Sequence, residues 1–103
     1  MTYLQNVFTM IIVFEWDELK NQRNIAERGL DFADAVKLFR ETTVISEDAR
    51  KDYGEQRFVA AGILEEQLVI IVYTWRSENR IRIISFRKAN KRERRNYEKK
   101  IEN

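Results

Sequence analysis

Leu68-Val-Ile-Ile-Val-Tyr73 is an unbroken apolar run, β-branched and too short for a helix. It reads as a strand, and its lack of alternation means that both of its faces are buried. The rest of the chain must therefore cover two sides of one sheet. With 103 residues the chain buries roughly two-thirds of its unfolded surface, enough for one core and one domain. Three glycines and no proline leave little room for linkers, and no repeat is visible. Neither this run nor Met10-Ile-Ile-Val-Phe14 approaches the ~20 residues of a membrane span. With no signal peptide either, the chain reads as cytoplasmic.

Met10–Phe14 reads as a first strand, which Thr2–Thr9 either extends or precedes as a loose tail. Asp17 caps a helix that runs to about Arg28 and stops at Gly29. Asp31 and Asp34 open a second helix, in which Phe32, Ala35, Val36 and Phe39 keep helical spacing and form a core stripe. Thr42–Ser46 reads as a short strand, and 47–55 as a polar loop. Phe58–Ile63 and Gln67–Trp75 flank a turn at Leu64-Glu65-Glu66, and Ser77-Glu78-Asn79 turns into a strand over Arg80–Arg87. Alternation places Ile81, Ile83, Ser85 and Arg87 on one face of that strand, and Arg80, Arg82, Ile84 and Phe86 on the other. Asn90 with Glu93 caps a last helix to about Lys100, whose apolar face is little more than Tyr97 and Ile101. The expected fold is α+β: an antiparallel sheet of four to five strands with two N-terminal helices and one C-terminal helix.

The chain contains neither cysteine nor histidine. That excludes thiol nucleophiles, imidazole bases, disulfides and the commonest zinc ligands. Charge is unevenly spread. Residues 1–75 carry 8 Lys and Arg against 13 Asp and Glu, whereas 76–103 carry 11 against 4. A basic module on an acidic body suits a polyanion or an acidic protein, or else forms a solvated helix face. Arg76, Arg80, Arg82, Arg87, Lys88, Lys91, Arg92, Arg94 and Arg95 are interleaved with Tyr73, Trp75 and Tyr97. Guanidinium forks for phosphate and aromatic planes for unpaired bases suit single-stranded RNA. The acidic group Glu47, Asp48, Asp52 and Glu55 fits no metal-loop spacing, so no metal or other cofactor is expected.

Several blocks in order resemble the BrnT toxins of bacterial and archaeal toxin–antitoxin systems, over about residues 14–97. They are Phe14-Glu15-Trp16-Asp17 with Lys20 and Asn24, Arg28-Gly29-Leu30 before Phe32 and Ala35, Tyr53-Gly54-Glu55-Gln56-Arg57, and Tyr73-Thr74-Trp75-Arg76. The densest is Ile81-Arg82-Ile83-Ile84-Ser85-Phe86-Arg87-Lys88-Ala89 with Glu93, Arg94 and Tyr97. The resemblance implies a RelE-like fold and a messenger-RNA ribonuclease that halts growth. It further implies a BrnA-like antitoxin encoded beside it, operator DNA bound only through that antitoxin, and a heterotetramer of two toxins and two antitoxins. Arg28 stands where the family usually has a histidine. Relatives begin close to the first strand, so residues 1–9 are expected to be an extension to a domain over 10–100, with Met10 a candidate start.

RNA cleavage needs a base for the 2′-hydroxyl, charge to stabilise the phosphorane and a proton for the leaving oxygen. Arg57 and Arg82 or Arg87 are the candidate phosphate clamps, with ion pairs to the acidic body as the alternative. Lys20, which by family position faces the open side of the sheet, and Glu55, which shares strand parity with Arg57, are the candidate proton carriers. Arg76, Arg80, Ser85, Lys88 and Tyr97 are expected to bind substrate; Ser85 alternatively fills a small core site and Tyr97 anchors the last helix. The competing reading is an RNA- or antitoxin-binding module with weak or lost catalysis. A third is a partner subunit with no nucleic-acid contact.

Overall fold

The computed structural model describes residues 2–7, 10–41, 43–48 and 52–102, with the side chains of 3–10 left out. The elements run β1 (Thr2–Val7), β2 (Met10–Glu15), α1 (Glu18–Arg28), α2 (Phe32–Leu38), β3 (Val44–Asp48), β4 (Arg57–Leu64), β5 (Gln67–Ser77), β6 (Arg80–Lys88) and α3 (Lys91–Glu102). The strands form one sheet in the order β1-β2-β6-β5-β4-β3.

β5 lies inside this sheet, and its apolar run is buried on both sides. Val69, Ile71 and Tyr73 enter a core with Phe14, Ile81, Ile83 and Phe86 of the neighbouring strands and Phe32, Ala35, Val36 and Leu38 of α2. Leu68 and Ile70 face the other way, toward Tyr97 of α3. The α2 stripe is thus core, as its spacing predicts. Gly29 ends α1 in the left-handed region at φ 70°. Asn90 and Glu93 close a reciprocal capping box at α3, with bonds of 2.8 and 3.0 Å.

The α+β class and all three helices are as expected, but the sheet is larger and mixed. Residues expected as an extension supply β1, antiparallel to β2. β2 is parallel to β6, Phe14 opposite Ile81, because the first strand inserts its apolar side beside the last one. β3 starts at Val44 and continues to Asp48, which is buried opposite Arg57 and accepts a hydrogen bond from the Tyr53 hydroxyl at 3.3 Å. Thr42, where that strand was expected to begin, and residues 49–51 of the expected loop lie outside the described residues, as do 1, 8 and 9 of the extension.

The alternation expected for β6 fails at one residue, which changes the face of everything after it. Ser85 pairs with Val72 but Ile83 pairs with Tyr73, leaving Ile84 as a bulge. Past it, Phe86 joins Ile81 and Ile83 in the core. Ser85 and Arg87, opposite Val72 and Ile70, join Arg80 and Arg82 on the other face of the sheet.

Candidate active site

α1 docks through two asparagines rather than an aliphatic stripe. The Asn21 amide donates to Asp31 at 3.1 Å and its oxygen accepts from the Phe32 backbone N–H at 2.9 Å. The buried Asn24 amide donates to the carbonyls of Leu30 and Phe86, both at 2.9 Å. β2 pairs with β6 only as far as Arg82, so Asn24 serves as the partner that β6 lacks at Phe86. The helix is thereby held alongside β6. One turn before Asn24 stands Lys20, and one turn after it Arg28.

The sheet face opposite the main core presents Arg82 beside Thr74, with Arg57 at the same level on β4, where the Thr74 hydroxyl donates to the Gln56 carbonyl at 2.6 Å. Two carboxylates organise this face. Glu15 accepts from Arg82 Nη1 at 2.9 Å and from Arg80 Nη1 at 3.1 Å. Glu55 accepts from Arg57 Nε at 3.2 Å and from Arg76 Nη1 at 3.4 Å. Tyr53 lies under the Arg57 guanidinium, 4.0 Å from its ring centre, and stiffens it by cation–π contact. Each of these four arginines uses a single nitrogen on its carboxylate. The remaining donors of each fork stay available for phosphate oxygens.

Burial of the Glu15 carboxylate opposes its ionisation, but the hydrogen bonds and charges of Arg82 and Arg80 outweigh burial and hold its pKa below the ordinary value. Lys20 is shifted down from the usual lysine range, first by burial and then by the positive charges of Arg57, Arg23 and Arg28, against the opposing pull of Asp17. Lys20 therefore sits within the field of Arg57, Arg23 and Arg28. Its ammonium is easier to deprotonate than that of a free lysine.

The other expected site residues divide. Arg87 donates from both terminal nitrogens to Glu93, at 2.7 and 2.8 Å, so its fork is closed on the residue that caps α3. Ser85 is half-buried on the basic face. Lys88 is exposed at the end of β6, near Arg28. Tyr97 rests over an apolar stretch of the same sheet face, with Val59, Ala61 and Ile70 on one side and Ile63 and Leu68 on the other. The structure brings Lys20, Glu55, Arg57, Arg76, Arg80 and Arg82 to one region and places Arg87, Lys88 and Tyr97 away from it.

The aromatic part of the expectation needs correction. Tyr73 is buried in the core, stacked on Phe58 at 5.6 Å and edge-on to Phe39, and burial raises its phenol pKa. Trp75, opposite Ile81, belongs to the core side of the sheet and not to the arginine face. Neither is a base-stacking platform for that face, because β-strand parity points both away from Arg76. Two residues that composition alone did not single out matter here: Glu15, which holds two arginines, and Tyr53, under Arg57. Both stood inside the resembling blocks, which was the available signal.

Each acid of the 47–55 group is occupied by protein. Glu47 accepts from Gln56, Asp48 from Tyr53, Asp52 from the Gly54 N–H, and Glu55 from two arginines. Among the described residues no three acidic side chains converge in a way that could hold a metal ion.

The family described as "Ribonuclease toxin, BrnT, of type II toxin-antitoxin system" matches residues 16–93. A crystal structure of the Brucella abortus ribonuclease toxin BrnT aligns with a TM-score of 0.60 at 29% identity, covering 76% of this chain and 96% of that one. No curated protein sequence matches. The matched span takes in α1, both carboxylate–arginine brackets apart from Glu15, and the capping box of α3. The chain belongs to the BrnT family, the ribonuclease toxins of type II toxin–antitoxin systems, and such a system implies an antitoxin partner.

Proposed function

We propose that the chain is an endoribonuclease that cleaves messenger RNA on its arginine face by 2′-hydroxyl attack, with guanidinium groups in place of a metal. The observation that carries this reading is the pair of brackets, in which Glu15 and Glu55 each orient two arginines through a single nitrogen apiece, leaving the other donors of each fork without a carboxylate partner among the described residues. Five cations, the four arginines and Lys20, stand against Glu15, Glu55, Asp48 opposite Arg57 and Asp17 beside Lys20, so the face keeps a small positive excess where phosphate negative charge grows. Arg57 and Arg82 clamp the non-bridging oxygens of the scissile phosphate, and Arg76 and Arg80 hold neighbouring backbone. Fixed donors of this kind stabilise a phosphorane without reorganising during the reaction.

Lys20, as the neutral amine, takes the 2′-hydroxyl proton. The 2′ oxygen then attacks phosphorus, the bond to the 5′ oxygen breaks, and that oxygen takes a proton from water on the open face. The products are a 2′,3′-cyclic phosphate and a 5′-hydroxyl. Glu55 keeps Arg57 and Arg76 in place, Ser85 donates a hydrogen bond to backbone phosphate, and Arg87 anchors α3. A BrnA-like antitoxin, in a complex of two toxins and two antitoxins, silences the enzyme by covering this positive face.

Incubating RNA with the purified chain in excess EDTA tests the reading. Cleavage persists if it is right, and binding without cleavage favours an inactive RNA-binding module. Lys20 supplies a second test. Its lowered pKa means that the neutral amine accumulates, and the rate rises, at a pH below that needed by free lysine. Lys20→Arg keeps the charge and never deprotonates. It is expected to flatten that rise and to slow cleavage at neutral pH by about 10²–10⁴-fold. A variant with the wild-type profile would remove Lys20 from proton transfer.

A further inference from the structure

A hollow of about 420 Å³ opens at the far end of β6, lined by Glu27 and Arg28 of α1 and by Arg87 and Lys88. Three cations meet one carboxylate there, with Arg87 closed on Glu93. Arg28 is well placed to be a fixed donor. Its Nη1 donates to Asn24 Oδ1 at 3.1 Å and reaches the Phe86 carbonyl at 3.5 Å. The guanidinium is thus tied to β6 by the same buried asparagine that docks α1, while its other nitrogens bond to no described residue.

Arg87 and Lys88, which line this hollow, continue the strand that carries Arg80 and Arg82, and Arg87 shares their face of the sheet. Lys20, Asn24 and Arg28 recur every fourth residue along one stripe of α1, which meets β6 at the Phe86 carbonyl. Lys20 feels the charges of both Arg57, in the brackets, and Arg28, at the hollow. From Arg82 to Arg87 the strand spans about 16 Å. A single-stranded polyanion seated at the brackets and running along β6 brings a later phosphate over Arg28 and Lys88.

We infer that Arg28 and Lys88 form a second phosphate subsite, which holds the backbone of single-stranded RNA a few nucleotides from the scissile bond. The inference rests on the proposed RNA-cleaving function of the brackets. It gives Arg28 a binding task, in keeping with a side chain that cannot shuttle protons at physiological pH. Glu27, the one acid lining the hollow among the described residues, faces the same space and limits its net charge.

The test is binding of non-cleavable 2′-O-methyl oligonucleotides to the full chain, followed by fluorescence anisotropy across a salt series. For single strands each neutralised phosphate contributes about 0.7 to the slope of log affinity against log salt. Wild type is expected to show a steeper slope with a nonanucleotide than with a trinucleotide. Lys88→Gln and Arg28→Gln are each expected to lower the nonanucleotide slope by about 0.7. The Lys88 side chain is exposed, so that variant keeps the result interpretable if loss of Arg28 loosens α1; melting curves report this directly. Unchanged nonanucleotide slopes in both folded variants would overturn the subsite, as would an equal loss with the trinucleotide, which would place both residues at the brackets. The two readings fail separately: equal slopes with intact cleavage remove the subsite alone, and a slope shift without cleavage in EDTA removes the nuclease alone.

Discussion

Replacing Arg82 with alanine is expected to slow RNA cleavage by about 10²–10³-fold, the loss typical of one preorganised donor at a developing oxyanion. The fold should remain intact. Arg82 is half-exposed on the open face, and Glu15, its carboxylate partner, keeps its bond to Arg80. Arg82→Lys should recover little of the rate, because an ammonium cannot bond Glu15 and present a planar fork to phosphate together. Single-turnover rates with saturating RNA, beside a melting curve, separate the two effects. Arg87→Ala provides the contrast. Its bidentate pair with Glu93 tethers a helix that buries none of its own residues. The expected loss there is of α3 order and thermal stability, with the chemical step less affected. A drop in cleavage for Arg87→Ala as large as for Arg82→Ala, at unchanged stability, would reverse these assignments.

The largest expected loss of stability is at Asn24. Its amide satisfies two carbonyls, those of Leu30 and Phe86, and the alanine variant leaves both without that partner in a buried place. Each unsatisfied group costs about 1–3 kcal/mol, so Asn24→Ala should lose about 3 kcal/mol. That is a large part of the 5–15 kcal/mol that holds a typical domain. For a chain of this size it corresponds to a fall in Tm of roughly 12 °C or more. Asn24→Asp should be worse, since it sets a carboxylate against two carbonyl oxygens. Denaturant midpoints at equal m-value measure both. A loss below about 1 kcal/mol for Asn24→Ala would show that the helix is held elsewhere.

Asn24 also shows why parts of the architecture were not legible in the sequence. An asparagine in a helix reads as a solvent position, and only tertiary structure shows it replacing a missing strand partner. α2 was legible because its apolar stripe is continuous, and β5 because a run without alternation has no exposed face. β6 was half legible. Period-two alternation assigns faces only while the register is unbroken, and the extra residue at Ile84 exchanged Ser85 and Arg87 with Phe86. The parallel pairing of β2 with β6 left no local trace, since it joins two segments far apart in the chain. At the site, charge composition picked out Arg76, Arg80 and Arg82, but sequence could not show that Glu15 and Glu55 would hold them in pairs. Nor could it show that Arg87 would be closed on Glu93. That distinction depends on which nitrogens of each fork are occupied.

On the proposed mechanism the arginine face cleaves RNA through the 2′-hydroxyl without a metal. The chemistry of the fragment ends tests it most directly, on RNA cut by the purified chain in excess EDTA. The expected ends are 2′,3′-cyclic phosphate and 5′-hydroxyl, with no cut at a position whose nucleotide lacks the 2′-hydroxyl. Fragments ending in 3′-hydroxyl and 5′-phosphate, or cleavage that appears only when a divalent ion is restored, would contradict it.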